Sequence, residues 1–366
     1  MPKGNHESKE FLPARHTFYK DYCVFVDTGR ASLYHGLEEV IKDARLGGVA
    51  SKYQEMFMHY YFAPMEGLTD SIYRCLHYHF FGGVDRYYMP FLSPTMHRTL
   101  SGKEERELPR ADSVEFTAIP QILTKSAEDF LWAANLCHDR GYEEVNLNVG
   151  CPSGTVVAKG KGAGMLADPD GLDRFLDTVF QSASMPISVK TRLGISDPNE
   201  FPTILEVFNR YPIRELTIHP RVRKQFYQGD VDLEMFCYAV QNSSNPLCYN
   251  GNLTSKADCE DITAKYPTVE SVMLGRGLVA DPGMLLPDGT NQSTFEEFHN
   301  ALLEEYLVAF GGSRNAMFRL KENWSYWLPR FEDSEKLAKR LRKTTDLQDY
   351  RLITAEIFHS RLFKKG

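Results

Sequence analysis

From His59 onward the chain alternates short runs rich in β-branched and aromatic residues with longer stretches whose apolar positions recur at helical spacing. The runs 59–63, 84–89, 116–121, 144–148, 186–190, 214–218, 246–250 and 270–274 predict eight strands. Between them lie amphipathic segments such as 126–139, where Phe130, Ala133, Ala134 and Cys137 share one helical face behind a Ser126-x-x-Asp129 capping box. Segments 168–180, 199–209 and 254–265 read the same way. Eight strand–helix units over about 225 residues suit an α/β chain folded as a (β/α)8 TIM barrel. A doubly wound sheet would carry a Gly-rich turn after its first strand, where this chain has Pro64-Met65-Glu66.

After Pro287-Asp288-Gly289 the pattern becomes helical to the end. The expected organisation is a catalytic barrel over 59–288, a small all-helical C-terminal domain over 289–366, and an N-terminal extension, 1–58, to which no role is assigned. Composition adds that the chain is globular: 42% hydrophobic and 25% charged residues exclude a disordered or fibrous protein. The net charge of −7 excludes a wholly basic binder. From Arg314 onward, however, 13 Lys or Arg stand against 7 Asp or Glu, net +6. That places a cationic surface on the helical domain, as a polyanionic substrate requires. The opening MPKGNHESKE is too polar for a secretory signal and no apolar run is long enough for a membrane span, so a cytoplasmic protein with no membrane partner is expected. The seven cysteines show no C-x-x-C and no metal-ligand spacing to histidine, which predicts reduced thiols and no metal site.

A barrel places its chemistry where the strands end. The predicted ends carry Pro64-Met65-Glu66, Gln121, Asn146 and Asn148 before Cys151, then Lys190 and Arg192, His219 and Arg221, Asn250-Gly251-Asn252, and Gly275-Arg276-Gly277. Inward side chains of a core strand are mostly apolar, so this polar ring reads as a site. The glycines and arginine after the last two strands suit a phosphate, although each segment also reads as a tight turn. Lys190 and Gln121 would serve a flavin, one as a cation near N1 and O2, the other as an amide partner. A surface lysine or a Schiff-base lysine is the alternative for Lys190. Cys151 reads as a catalytic thiol on a mobile glycine-rich loop, or as a small buried hydrophobe. The 160–164 stretch, Gly-Lys-Gly-Ala-Gly, fits no nucleotide-binding spacing. Trp324, Tyr326 and Trp327 read as helix core rather than a stacking platform.

Together these residues resemble the dihydrouridine synthases, FMN-dependent barrel enzymes that reduce uridine in tRNA. The likeness spans about Tyr61 to Asp281 and rests on the segments 63–70 (APMEGLTD), 146–152 (NLNVGCP), 188–192 (SVKTR), 219–221 (HPR), 250–252 (NGN) and 274–277 (LGRG). The resemblance implies that Pro64, Met65, Glu66, Gln121, Lys190, His219, Asn250, Gly251, Asn252, Gly275 and Arg276 hold FMN. It implies that Asn148, Arg192 and Arg221 meet the target uracil, and that the helical domain grips tRNA. NADPH would act as a transient reductant, hydride would pass from reduced FMN to C6, and Cys151 would protonate C5. Pro220 stands where the family usually has Gly, and Asn252 where an Asp is common. The rival readings are a small-molecule FMN barrel reductase of the dihydroorotate-dehydrogenase or enoate-reductase type, and an RNA-binding barrel without redox chemistry. A monomer is expected.

Overall fold

The structure, a computed structural model, describes residues 58–95 and 97–364. The expected N-terminal extension, 1–58, lies outside the described residues except for Met58.

Nine parallel strands form one sheet: β1 His59–Phe62, β2 Arg86–Tyr88, β3 Ala118–Ile119, β4 Gln121–Ile122, β5 Val145–Val149, β6 Ile187–Arg192, β7 Leu216–His219, β8 Leu247–Tyr249 and β9 Ser271–Leu274. They occupy eight ring positions, because the third predicted strand is divided at Pro120. Proline has no N–H to give to a ladder, so the run breaks there. β3 pairs with β2 while β4 pairs with β5. Beyond β2, Leu92 bridges Ile122 in parallel fashion and carries the ring past the break. β1 pairs with β9 and completes a TIM-type barrel.

The strand period of two separates the core into two layers. Outward residues such as Val145, Leu147, Val149, Ile187, Val189, Leu216 and Ile218 pack under the helices. Inward residues Tyr61, Ala63, Tyr88, Ile119, Cys248 and Met273 form a separate apolar plug inside the barrel. Above that plug the inward positions of β4 to β7 turn polar: Gln121, Asn146, Asn148, Ser188, Lys190, Arg192 and His219.

The barrel helices include α1 Ser71–Phe80, α2 Ala127–Asp139, α3 Pro169–Ser182, α4 Phe201–Phe208, α5 Leu233–Asn242, α6 Lys256–Lys265 and the short α7 Arg276–Ala280. Their starts are set by side-chain caps, Asp70 for α1, Asp168 for α3 and Ser255 for α6. Ser126 caps α2 by accepting from the Asp129 N–H at 3.1 Å. The return arm of the predicted capping box is replaced, since the Ser126 N–H donates to Thr124 Oγ1 at 3.1 Å.

The C-terminal helices are α8 Gln292–Phe310, α9 Ser313–Trp327, α10 Glu335–Lys343 and α11 Leu347–Ser360. They pack on the barrel at its first loop and its last helix. Tyr306 donates to Asp70 Oδ1 at 3.0 Å, Arg319 bonds the Gly67 carbonyl and lies 3.5 Å from Asp70, and Trp327 Nε1 donates to the Val279 carbonyl at 2.8 Å. Trp324 and Trp327 are core residues, as expected. Among the described residues no helix is long and apolar enough to cross a membrane.

Candidate functional site

The polar ring opens into a cavity of about 660 Å3 at the mouth of the barrel. Of the residues singled out from the sequence, Pro64, Met65, Glu66, Gln121, Asn148, Cys151, Lys190, Arg192, His219, Asn250, Gly251, Asn252, Gly275 and Arg276 all line it. Arg221 does not. It is buried behind the wall, where its guanidinium donates to His219 Nε2 at 2.9 Å, the Gly229 carbonyl at 2.6 Å and Asn252 Oδ1 at 2.9 Å. An arginine only donates, so His219 Nε2 must accept and the ring proton sits on Nδ1. Burial, followed by Arg192, Lys190 and Arg221, holds the His219 pKa well below its ordinary value and keeps the ring neutral.

A directed chain of amides runs from β6 to the cysteine. The Cys151 and Gly150 N–H groups donate to Asn148 Oδ1 at 2.9 and 3.1 Å. Asn148 Nδ2 donates to Gln121 Oε1 at 2.7 Å, Gln121 Nε2 to Asn146 Oδ1 at 2.7 Å, and Asn146 Nδ2 to Ser188 Oγ at 3.0 Å. Every amide points the same way, an arrangement in which each bond polarises the next. Gln121 and Asn148 therefore have most of their hydrogen-bonding capacity committed within the protein.

Cys151 follows β5 and is partly buried; burial raises its thiol pKa, so the group is held as S–H. The glycine-rich segment after it is a set of tight turns rather than an open loop. Gly162 has φ +56°, and a Cβ there would stand 3.0 Å from both Cys151 Cβ and the Cys151 carbonyl oxygen. The Ala163 N–H donates to that carbonyl at 3.1 Å. Glycine serves close approach here, which fixes the thiol beside the mouth.

Lys190 is set on the inward face of β6 and its ammonium donates to Asn250 Oδ1 at 2.6 Å. Burial first, and then Arg192, lowers its pKa to about 7. Arg192 is anchored through Nε to the Gly150 carbonyl at 3.0 Å and through Nη1 to the Val222 carbonyl at 3.2 Å. The mouth thus gathers Lys190, Arg192, Arg276 and Arg330, of which Arg330 is paired with the buried Asp281, while the one lining carboxylate, Glu66, pairs with Lys103.

The sequence reasoning missed Tyr227 and Arg330 and read Tyr326 as helix core, whereas Tyr326 is half-buried and all three line the cavity. Tyr227 comes from the long loop after β7; its ring stacks on His219 at 6.1 Å and lies under the guanidinium groups of Arg192 and Arg276 at 5.4 and 4.8 Å. The signal available for it was an aromatic eight residues beyond His219 in a loop already bearing Arg221 and Arg223. Tyr326 and Arg330 arrive from the helical tail, at a sequence distance that no local pattern bridges.

Comparison with known proteins fits this geometry. The family model for dihydrouridine synthase (Dus) matches residues 61–345. The chain belongs to the dihydrouridine synthase family. The match runs from β1 into the start of the last loop, so it takes in the barrel, the mouth and three of the four C-terminal helices of this family member. A probable tRNA-dihydrouridine synthase of Rhizobium leguminosarum bv. phaseoli is 25% identical over 307 residues, covering 81% of this chain and 93% of that relative. tRNA-dihydrouridine synthase B of Pasteurella multocida (strain Pm70) is 27% identical over 223 residues, covering 61% of this chain and 66% of that relative. Membership makes the chain an oxidoreductase, and its barrel mouth is the place where the family's chemistry must be accommodated.

Proposed function

We propose that the chain reduces uridine to 5,6-dihydrouridine in tRNA, with FMN held in the barrel mouth and NADPH as the reductant. The observation that carries this reading is a thiol held protonated by burial at the edge of a cationic cavity. The donor set fits a flavin mononucleotide. The cavity volume lies within the range of roughly 300–1,000 Å3 typical of ligand sites. Its cations outnumber its carboxylate, as a phosphate demands, and Lys190, Asn250 and the amide chain offer polar partners for a ring with carbonyl and imide edges. Pro64, Met65, Gln121, Lys190, His219, Asn250, Gly251, Gly275 and Arg276 would hold it.

Bound FMN would supply hydride-transfer chemistry, which no side chain of the mouth can provide. The chain's own contribution is positional and acid–base. Asn148 fixes the Gly150-Cys151 backbone, Arg192 braces the same loop through the Gly150 carbonyl, and Cys151 keeps a proton on Sγ for delivery to uracil C5. Arg221 acts one layer back, setting the His219 tautomer and the Asn252 side chain. To reach a recessed mouth the uridine must leave its stack, which costs a few kcal/mol and is easiest in a tRNA loop. The barrel, 59–288, would carry the catalysis. The helical region, 289–366, would grip tRNA through the exposed Lys336, Lys339, Arg342 and Lys343 of α10. A cytoplasmic site of action accompanies this reading.

The test is anaerobic: load the protein with FMN, reduce it with NADPH, add tRNA lacking dihydrouridine, and follow flavin re-oxidation alongside product. Re-oxidation matched by dihydrouridine is expected. A flavin that NADPH reduces and tRNA leaves reduced would turn the reading toward a small-molecule reductase.

A further inference from the structure

Three lysines stand on two neighbouring barrel loops, one of which carries Cys151. Lys125 follows β4, and Lys159 and Lys161 follow β5. Lys125 and Lys159 are exposed and Lys161 is half-buried. Lys125 reaches the backbone between the other two: Gly160 has φ +69°, and a Cβ on it would stand 3.5 Å from Lys125 Cδ and 3.6 Å from Lys125 Nζ. Lys161 Nζ donates to Ser93 Oγ at 3.3 Å, and Ser93 Oγ in turn donates to the Leu123 carbonyl at 3.4 Å, which ties the loops after β2, β4 and β5 together. None of the three lysines makes an ion pair among the described residues, whereas neighbouring rim cations do, Arg98 with Asp129 and Lys103 with Glu66. The carboxylate at Ser93, Glu104, is taken up by the Ser93 and Ser101 N–H groups and pairs with none of the three, so like charges on adjoining loops call for an external anion.

Their place in the ring indicates which anion. The helical tail meets the barrel at β1 and β9, whereas these lysines stand at β4 and β5, across the mouth. A nucleotide entering the mouth belongs to a strand whose backbone continues on both sides, and a grip at one side leaves the other free to swing. We propose that Lys125, Lys159 and Lys161 form a second tRNA contact, which takes backbone phosphates flanking the target uridine on the side opposite the helical tail. The inference rests on the tRNA reading above.

The test uses the full FMN-loaded protein with K125Q, K159Q and K161Q combined. Lys265→Gln, at the C-terminal end of α6 and so at the far end of the barrel, serves as a charge control. In the triple variant, KM for tRNA should rise tenfold or more while NADPH-driven flavin reduction keeps its rate. The slope of log affinity against log salt should shrink by roughly 2–3, since each phosphate deprived of its lysine takes away about 0.7–0.9. The matching triple Lys→Arg variant should restore both, and K265Q should leave both unchanged. If the Gln variant keeps the wild-type KM and salt slope while the wild type makes dihydrouridine, the lysines are a solvated surface and the proposal is wrong. If the wild type neither binds nor reduces tRNA, the tRNA reading itself fails and takes the proposal with it.

Discussion

Asn148 accepts the backbone N–H of Cys151 at 2.9 Å while its own amide N–H is passed on to Gln121, so the side chain expected to read a base is built into the support of the thiol. Replacing it removes a partner from two part-buried backbone donors and from the buried Gln121 at once. Asn148→Ala is expected to lower stability by about 1–3 kcal/mol, the usual cost of a buried group left unpaired. It should also slow dihydrouridine formation more than flavin reduction by NADPH. Urea unfolding and single-turnover kinetics of the two half-reactions check this; equal slowing of both would place Asn148 at the flavin instead.

Cys151→Ala should spare flavin reduction and slow uridine reduction by about 10²–10⁴-fold, the worth of a positioned acid. The pH dependence gives a second measure. An acid works while protonated, and burial raises the Cys151 pKa above that of an ordinary thiol. The uridine half-reaction should therefore be flat through neutral pH and fall only on the alkaline side. A rate that climbs as pH rises through 8 to 9 would mark a thiolate nucleophile.

Lys190 makes flavin reduction a protonation event. In the ligand-free protein its pKa of about 7 leaves the amine largely neutral at pH 8, and the negative charge that a reduced flavin would carry beside it draws the proton back. Reduction of bound FMN by NADPH at pH 8 should take up about one proton, read with a pH-indicator dye, and Lys190→Met should abolish the uptake. The folded value lies below the unfolded one of about 10.4. The cost of burying the charge is thus complete below pH 7 and relieved as pH rises toward 10.4. Ligand-free protein should gain stability across that window relative to Lys190→Met.

Asp70 joins three elements, capping α1 through the Tyr73 N–H at 3.0 Å while receiving Tyr306 and Arg319 from the helical tail. Asp70→Ala loses a cap, worth about 1 kcal/mol, and leaves Arg319 without its buried partner. A total loss of about 3 kcal/mol is expected from denaturant unfolding. Tyr306→Phe, which removes one donor, should cost about 1 kcal/mol.

The eight-fold alternation and the polar strand ends were legible because period-two patterning puts Asn146 and Asn148, or Lys190 and Arg192, on the same inward face whatever the rest of the chain does. Partner choice was not legible. Nothing local says that Asn148 donates its amide to Gln121 and Gln121 its own to Asn146, or that Arg221 turns behind the wall toward His219. The glycines at 160, 162 and 164 read as mobility, yet Gly162 is required by close approach to Cys151. Pro120 could have announced the split strand, since it stands inside the run 116–121. Tyr326 and Arg330 were hidden because their role depends on where a helix packs hundreds of residues after the first strand.

The wall of the mouth is finished by residues made after every strand of the barrel. All nine strands have left the ribosome before Tyr326 and Arg330 are made, and the contacts of Tyr306 and Arg319 with Asp70 then bring the tail onto the first barrel loop. A nascent chain therefore completes its sheet well before its site. A product of early termination beyond β9 but short of Arg330 would have every strand of the barrel and an open-sided mouth.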